Sequence, residues 1–288
     1  METYKEAHNR GGLKMWMDIS TYCNAACPQC HRTNPNGLEK QDFLPLIQWS
    51  LKDFKECFSV ETMKKISLFD FCGTWGDPVM NKDIFEITEY VLNESYASVK
   101  IHTNGSIRDD EWWYQLGLLG KKSKKRLDCR FAVEGIDQET HSKYRQKTDL
   151  DLILSNIEAF NLGGGIGHIF TIIFKHNQDQ LLDIAKKSMD IGCTGISYMP
   201  SNRFKLDKYY FVQANKNVDV LERTTLPPDI LEPLCSNLWK DINSIEKILK
   251  GEIKKIDILK HRPSFDRAKK VINQTITDQY VTRAINEN

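Results

Sequence analysis

The chain alternates short apolar runs, rich in β-branched and aromatic residues, with longer stretches in which apolar residues return every three or four positions. Runs that short and that apolar read as strands buried on both faces, and the longer stretches read as helices lying over them. The pattern predicts strands over 14–19, 66–72, 99–103, 128–133, 168–174 and 195–199, and helices over 42–57, 82–92, 110–119, 150–162 and 178–191. Asp149 is placed to cap the start of the fourth helix and Gly192 to stop the fifth. Strand–helix units of about 30 to 40 residues connect parallel strands by right-handed crossovers, so the sheet curls as it grows. Eight such units close a barrel; six give an α/β fold with a partial (β/α)6 TIM-like barrel, whose one mouth gathers the C-terminal ends of all the strands.

Past residue 204 the alternation stops. A break over 224–228 carries Pro227 and Pro228, helical patterns follow over 232–249 and 265–272, and 275–288 is expected to fray. The expected organisation is a lead-in over 1–13, the barrel over 14–204, and a mostly helical C-terminal extension over 205–288.

Composition narrows the class. With 288 residues, 40% hydrophobic and 27% charged, the chain has the make-up of a folded globular enzyme. Forty Lys+Arg against 39 Asp+Glu leave a net charge of +1, so no overall field draws it to nucleic acid or membrane. The run Lys121-Lys122-Ser123-Lys124-Lys125-Arg126 is expected to be a solvated loop. The first six residues, Met1 to Glu6, carry no apolar leader, and no stretch of about 18 apolar residues occurs, so a cytoplasmic location is expected. Eight cysteines are too few for a disulfide scaffold, and five of them, Cys57, Cys72, Cys129, Cys193 and Cys235, are scattered. The other three fall within eight residues, Cys23-Asn24-Ala25-Ala26-Cys27-Pro28-Gln29-Cys30, directly after the first strand.

Three thiolates so close suit an iron–sulfur cubane, whose irons take cysteine sulfur, and leave one corner open to a ligand. On spacing alone a zinc site with His31 as fourth ligand stays open, although no second ligand pair follows downstream.

The motif Cys-x3-Cys-x2-Cys after a first strand resembles the radical S-adenosylmethionine superfamily, and three further segments at strand ends carry the likeness. Trp75-Gly76-Asp77-Pro78 is similar to the Gly-Gly-Glu-Pro segment of that family, with Trp75 for the first glycine and Asp77 for the acid. Thr103-Asn104-Gly105 resembles the end of the corresponding third strand. Glu134-Gly135, then His141 and Tyr144-Arg145, resembles the branch that has Asp-Gly there, and Lys175-His176-Asn177 also fits it, although Asn177 could instead cap the following helix. One departure is Gln29, where many members have an aromatic residue over the adenine.

The resemblance, over residues 14 to about 204, implies an enzyme in which Cys23, Cys27 and Cys30 hold one 4Fe-4S cluster and S-adenosylmethionine chelates its fourth iron. It implies cofactor-binding roles for Gly76, Asp77, Pro78, Thr103, Asn104, Glu134, Arg145 and Met199. Asp77 would serve the ammonium group, Glu134 the ribose side and Arg145 the carboxylate, whose planar shape its fork matches. Apart from the family, Arg145 reads as a cation at a helix end, and Tyr198 and Met199 as core.

The implied reaction is reductive cleavage to a 5′-deoxyadenosyl radical that abstracts a substrate hydrogen. An electron donor such as flavodoxin or ferredoxin is the implied partner. Cys235, 15 residues and Gly251 resemble the opening of a SPASM extension, but Ile256 stands where a cysteine would follow, so no auxiliary cluster is expected. That branch points to a peptide or protein substrate, with Trp112 and Trp113 as candidate contacts, although their spacing puts one of the two on the helix's apolar face. An RNA-modifying member, or a protein merely stapled by zinc or a cluster, are the alternatives, and nucleic acid is disfavoured by the balanced charge.

Overall fold

The computed structural model describes residues 12–213, 215–236 and 241–252. One parallel sheet of six strands in the order β1-β2-β3-β4-β5-β6 forms its centre. The strands are β1 Leu13–Met17, β2 Ile66–Phe71, β3 Ser98–Thr103, β4 Leu127–Ala132, β5 Ile166–Ile173 and β6 Gly195–Pro200. Sequential order with parallel pairing throughout is the curled half-barrel the alternation implies, and β1 and β6 do not meet. Helices α1 Leu51–Cys57, α2 Val60–Met63, α3 Ile84–Glu94, α4 Asp110–Lys122, α5 Gln138–Ser142, α6 Leu150–Leu162 and α7 Leu181–Asp190 cover the outer face.

Several predicted ends are found with their physical causes. Asp149 accepts a hydrogen bond from the Leu152 amide at 3.0 Å and starts α6. After α7, Gly192 takes φ +77°, its amide donates to Met189 and the next, Cys193, to Ser188, the paired bonds of a Schellman stop. The first helix is shorter than its periodicity suggested. Residues 42–50 are irregular, and α1 begins only where Ser50 and Asp53 form a reciprocal capping box. Pro45 interrupts the segment before it, and its carbonyl accepts from the Thr21 hydroxyl at 2.6 Å, tying the loop to the end of β1.

The main core lies between the sheet's outer face and the helices. Phe69, Phe71, Val99, Ile101, Cys129, Phe131 and Ile169 are all buried there with Trp113 and Phe160. Trp113 is fully buried on α4 with its indole N–H donating to Ile107, and Trp112 packs at 5.0 Å against it. Both tryptophans therefore belong to the helix layer and stand away from the barrel mouth.

Beyond residue 204 an antiparallel hairpin, β7 Lys208–Val212 and β8 Val218–Glu222, precedes helices α8 Pro228–Cys235 and α9 Ile242–Leu249. The hairpin is an element not placed from the sequence, although Tyr209, Tyr210, Phe211 and Val212 are strand-forming residues. Its Phe211 and Leu221 join Ala25, Ala26, Cys27, Tyr144, Phe174 and Phe204 in a second apolar cluster, and Tyr209 donates to the Pro28 carbonyl at 3.0 Å. The hairpin thus backs the cysteine loop. Trp239, Ile256 and the helical pattern over 265–272 lie outside the described residues.

Candidate active site

The cysteine loop leaves β1 at the mouth and folds over the C-terminal ends of the strands. Cys23, Cys27 and Cys30 all line one cavity of about 370 Å³ together with Arg32, Gly76, Asp77, Thr103, Asn104, Arg145 and Met199. A cavity of that size at the strand C-termini is where a barrel of this kind holds a ligand. The loop is fixed from several sides. The Ala26 amide donates to the Gln146 carbonyl at 2.9 Å, Cys30 closes a turn on Cys27, and Asn24 reaches the Ser106 carbonyl. Burial pushes the Cys27 thiol up to about 11 and raises Cys23 further, with Asp77 adding to the latter, so each needs a cation to hold a thiolate.

Gly76 is set against the backbone of the loop after β1. A Cβ there would sit 2.3 Å from the Ser20 carbonyl oxygen, so only glycine fits. The next residue, Asp77, donates its amide to the Tyr22 carbonyl and caps the short 3-10 turn Pro78–Met80 by accepting from the Val79 amide. Its carboxylate also accepts from the Thr103 hydroxyl at 2.9 Å, the Asn104 amide at 2.7 Å and Asn104 Nδ2 at 2.6 Å. Burial raises the pKa of Asp77, and these donors counter it. With those donors around it, the carboxylate spends most of its hydrogen-bonding capacity inside the protein, joining the ends of β2 and β3. Asn104 extends the link to the cysteine loop by donating to Asn24 Oδ1 at 2.8 Å.

On the far side, Glu134 is fully buried and receives Arg145 in a two-pronged pair, Nε to Oε2 at 2.7 Å and Nη2 to Oε1 at 2.9 Å. The fork therefore grips Glu134, and the remaining nitrogen, Nη1, stands 3.6 Å from Cys27 Sγ. Burial opposes the arginine's charge, but the facing Glu134 outweighs it and raises the Arg145 pKa. His141 supports this corner from behind. It accepts from the Glu134 amide on Nδ1 and meets the Thr148 hydroxyl on Nε2, and burial lowers its pKa to about 4, which keeps it neutral.

Asn177 does not cap the turn that follows it. Its Nδ2 donates to the carbonyls of Glu134 and Ile172, and its Oδ1 accepts from the Phe174 amide, so it locks the end of β4 to the end of β5. Strand alternation separates the last pair. Tyr198 is buried with its hydroxyl on the Leu181 carbonyl, whereas Met199 faces the cavity. Gln29 is buried, its Oε1 accepting from Ser201 at 2.7 Å, and its carbonyl receives Arg203.

The sequence pattern did not single out Arg32, His102, Arg130 or Arg203, which also line the cavity. For His102 and Arg130 a signal existed. They are charged residues at every second position of strands that otherwise read as buried on both faces.

No family model matches the chain. Among curated proteins it is 23% identical over 253 residues to a probable GTP 3′,8-cyclase of Saccharolobus solfataricus, a match covering 84% of this chain and 67% of that one. It is 22% identical over 188 residues to AlbA, the antilisterial bacteriocin subtilosin biosynthesis protein of Bacillus subtilis, over 65% of this chain and 39% of AlbA. Among solved structures, Streptococcus suis SuiB bound to S-adenosylmethionine superposes with a TM-score of 0.53 at 15% identity, over 70% of this chain and 44% of SuiB. The chain thus spans less than half the length of AlbA and of SuiB. The likeness to the radical S-adenosylmethionine enzymes, and to their branch with SPASM extensions, is consistent with these relatives. No helix among the described residues is long and apolar enough to cross a membrane.

Proposed function

We propose that the enzyme cleaves S-adenosylmethionine reductively and uses the product to modify a peptide or protein side chain. The observation that carries this reading is the convergence of Cys23, Cys27 and Cys30 on a cavity that also receives the Asp77–Asn104 and Glu134–Arg145 groups. Three cysteine thiols lining one cavity are the ligands that a 4Fe-4S cluster takes. When bound, the cluster and S-adenosylmethionine would supply an electron and a 5′-deoxyadenosyl radical able to take a hydrogen atom from the substrate.

The chain's own residues would do the rest. Arg145 Nη1 places a fixed positive charge beside Cys27, and hydrogen bonds and net charge near cluster sulfurs set how readily a cluster is reduced. Asp77, held by its donors, keeps the ends of β2 and β3 and the cysteine loop in register. Gly76 lets the loop lie against the backbone that follows β1. Met199 supplies an apolar contact from β6. An external one-electron donor of the flavodoxin or ferredoxin kind would serve the cluster. The peptide reading is supported by AlbA, by its name a bacteriocin biosynthesis protein, and by SuiB, whose structure bound to its precursor peptide shares this fold with a TM-score of 0.51.

Anaerobic reconstitution should give about four irons per chain, and dithionite with S-adenosylmethionine should then release 5′-deoxyadenosine. Cys27→Ala should abolish both. Release at the wild-type rate from the variant overturns the reading, and about eight irons per chain overturns the single cluster.

A further inference from the structure

Beneath the cofactor cavity the inner face of the sheet carries charge where a barrel of this kind usually packs Val, Ile and Leu. Strand register stacks the inward residues in layers. Asp70, Lys100 and Asp128 pair side by side across β2, β3 and β4, and His102 and Arg130 pair in the next layer toward the mouth. Above them Ala132 pairs with Phe170, and Ile172 with Met199. Two residues along a strand separate successive layers by about 6.6 Å.

The lower layer is held by ion-pair contacts, with Asp70 Oδ1 and Asp128 Oδ1 buried and without a hydrogen bond among the described residues. Lys100 Nζ lies 3.4 Å from Asp70 Oδ2, and His102 Nε2 lies 3.0 Å from Asp70 Oδ1. His168 Nδ1 is 3.5 Å from Asp128 Oδ1. Arg130 differs. Its side chain makes no hydrogen bond among the described residues, its buried Nε has only an ion-pair contact of 3.8 Å with Asp128, and it lines the cavity. The one carboxylate lining that cavity among the described residues is Asp77, which accepts from Val79, Thr103 and Asn104. An arginine whose guanidinium has only one long contact, with Asp128 below it, and whose cavity is lined by no open acid, is set up to receive an anion from outside.

The apolar layer above it says what carries the anion. In the layers above Arg130 the sheet turns Ala132, Phe170 and Ile172 into the cavity, and these offer no polar side-chain atoms. The buried acids Asp70 and Asp128 one layer deeper disfavour a dianion more than a monoanion. We infer that Arg130, with His102 beside it, is a carboxylate subsite. It receives the side chain of a glutamate or aspartate of the substrate, whose methylenes lie along Phe170 and Ala132. The inference rests on the peptide reading above and narrows it to an acidic residue at the reaction site.

The test uses the reconstituted protein with S-adenosylmethionine, titrated with N-acetyl-glutamate methylamide, its glutamine counterpart or inorganic phosphate. Binding is read by calorimetry and by the ¹⁵N shift of the Arg130 Nε. The glutamate probe should bind saturably and move that signal, and the glutamine probe should bind at least about tenfold more weakly, the usual cost of losing a charge-assisted hydrogen bond. Arg130→Gln should erase the difference and Arg130→Lys should keep part of it. Equal binding of the two amino-acid probes, no saturable binding of the glutamate probe, or discrimination retained in Arg130→Gln overturns the inference. The wild-type comparison needs no variant to fold. Phosphate binding more tightly than glutamate also overturns it, and points to a phosphorylated substrate such as a nucleotide. Failure of the proposed function is read separately, in iron content and 5′-deoxyadenosine release by the wild type.

Discussion

The two faces of β2, β3 and β4 follow opposite rules. Outward residues such as Phe69, Ile101, Cys129 and Phe131 are apolar and sealed under helices, whereas inward residues one position away are Asp70, Lys100, His102, Asp128 and Arg130. A sheet needs only one face to hold its helices. The other, released from that work, can carry charges that do little for stability and much for a ligand, since a buried ion pair roughly offsets its own desolvation.

That contrast can be broken most strongly from the outside. Phe131 packs 5.0 Å from Trp113 and 5.9 Å from Phe160, so Phe131→Ala should cost about 3–5 kcal/mol in chemical denaturation while the reconstituted iron content stays unchanged. On the inner face, Lys100→Met alone leaves Asp70 buried beside one partner fewer and should also cost about 3 kcal/mol or more. Removing both charges with Asp70→Leu should restore stability to near the wild type. A double variant as unstable as the single one would mean that the inner charges do support the fold.

Acid should expose a third difference, of about 3 kcal/mol per residue at most. Burial lowers His141 and His176 from the ordinary 6.5 to about 4, so the unfolded chain takes up their protons first. Their stabilising contribution is whole above pH 6.5, falls away between 6.5 and 4, and changes no further below that. Denaturation measured across that range should show the slope, and His176→Phe, which keeps a ring against Phe174, should flatten part of it.

How much of the site could be read beforehand differs by residue. Cys23, Cys27 and Cys30 lie within one loop, so their spacing alone brings them together. Asp77 and Glu134 were recognisable as acids at strand ends, but their partners were not. Arg145 was expected to hold a cofactor carboxylate with its fork, and the fold turns that fork onto Glu134, 11 positions away in the chain. Asn177 looked like a helix cap because a turn follows it, yet it bonds back to Glu134 across 43 positions. The spacing of Trp112 and Trp113 puts one of them on the helix's apolar face, but helical period alone does not say which one meets the sheet, and the structure buries Trp113.

What the sequence by itself determined is the repeat of strand and helix, the parallel half-barrel and the sulfur-rich loop at its mouth, because each depends on local periodicity or short spacing. The tertiary structure decided which face of each strand looks inward, which charges meet across strands, and which arginine is left with donors to spare. Those outcomes depend on register and on contacts between residues distant in the chain, which no local pattern encodes.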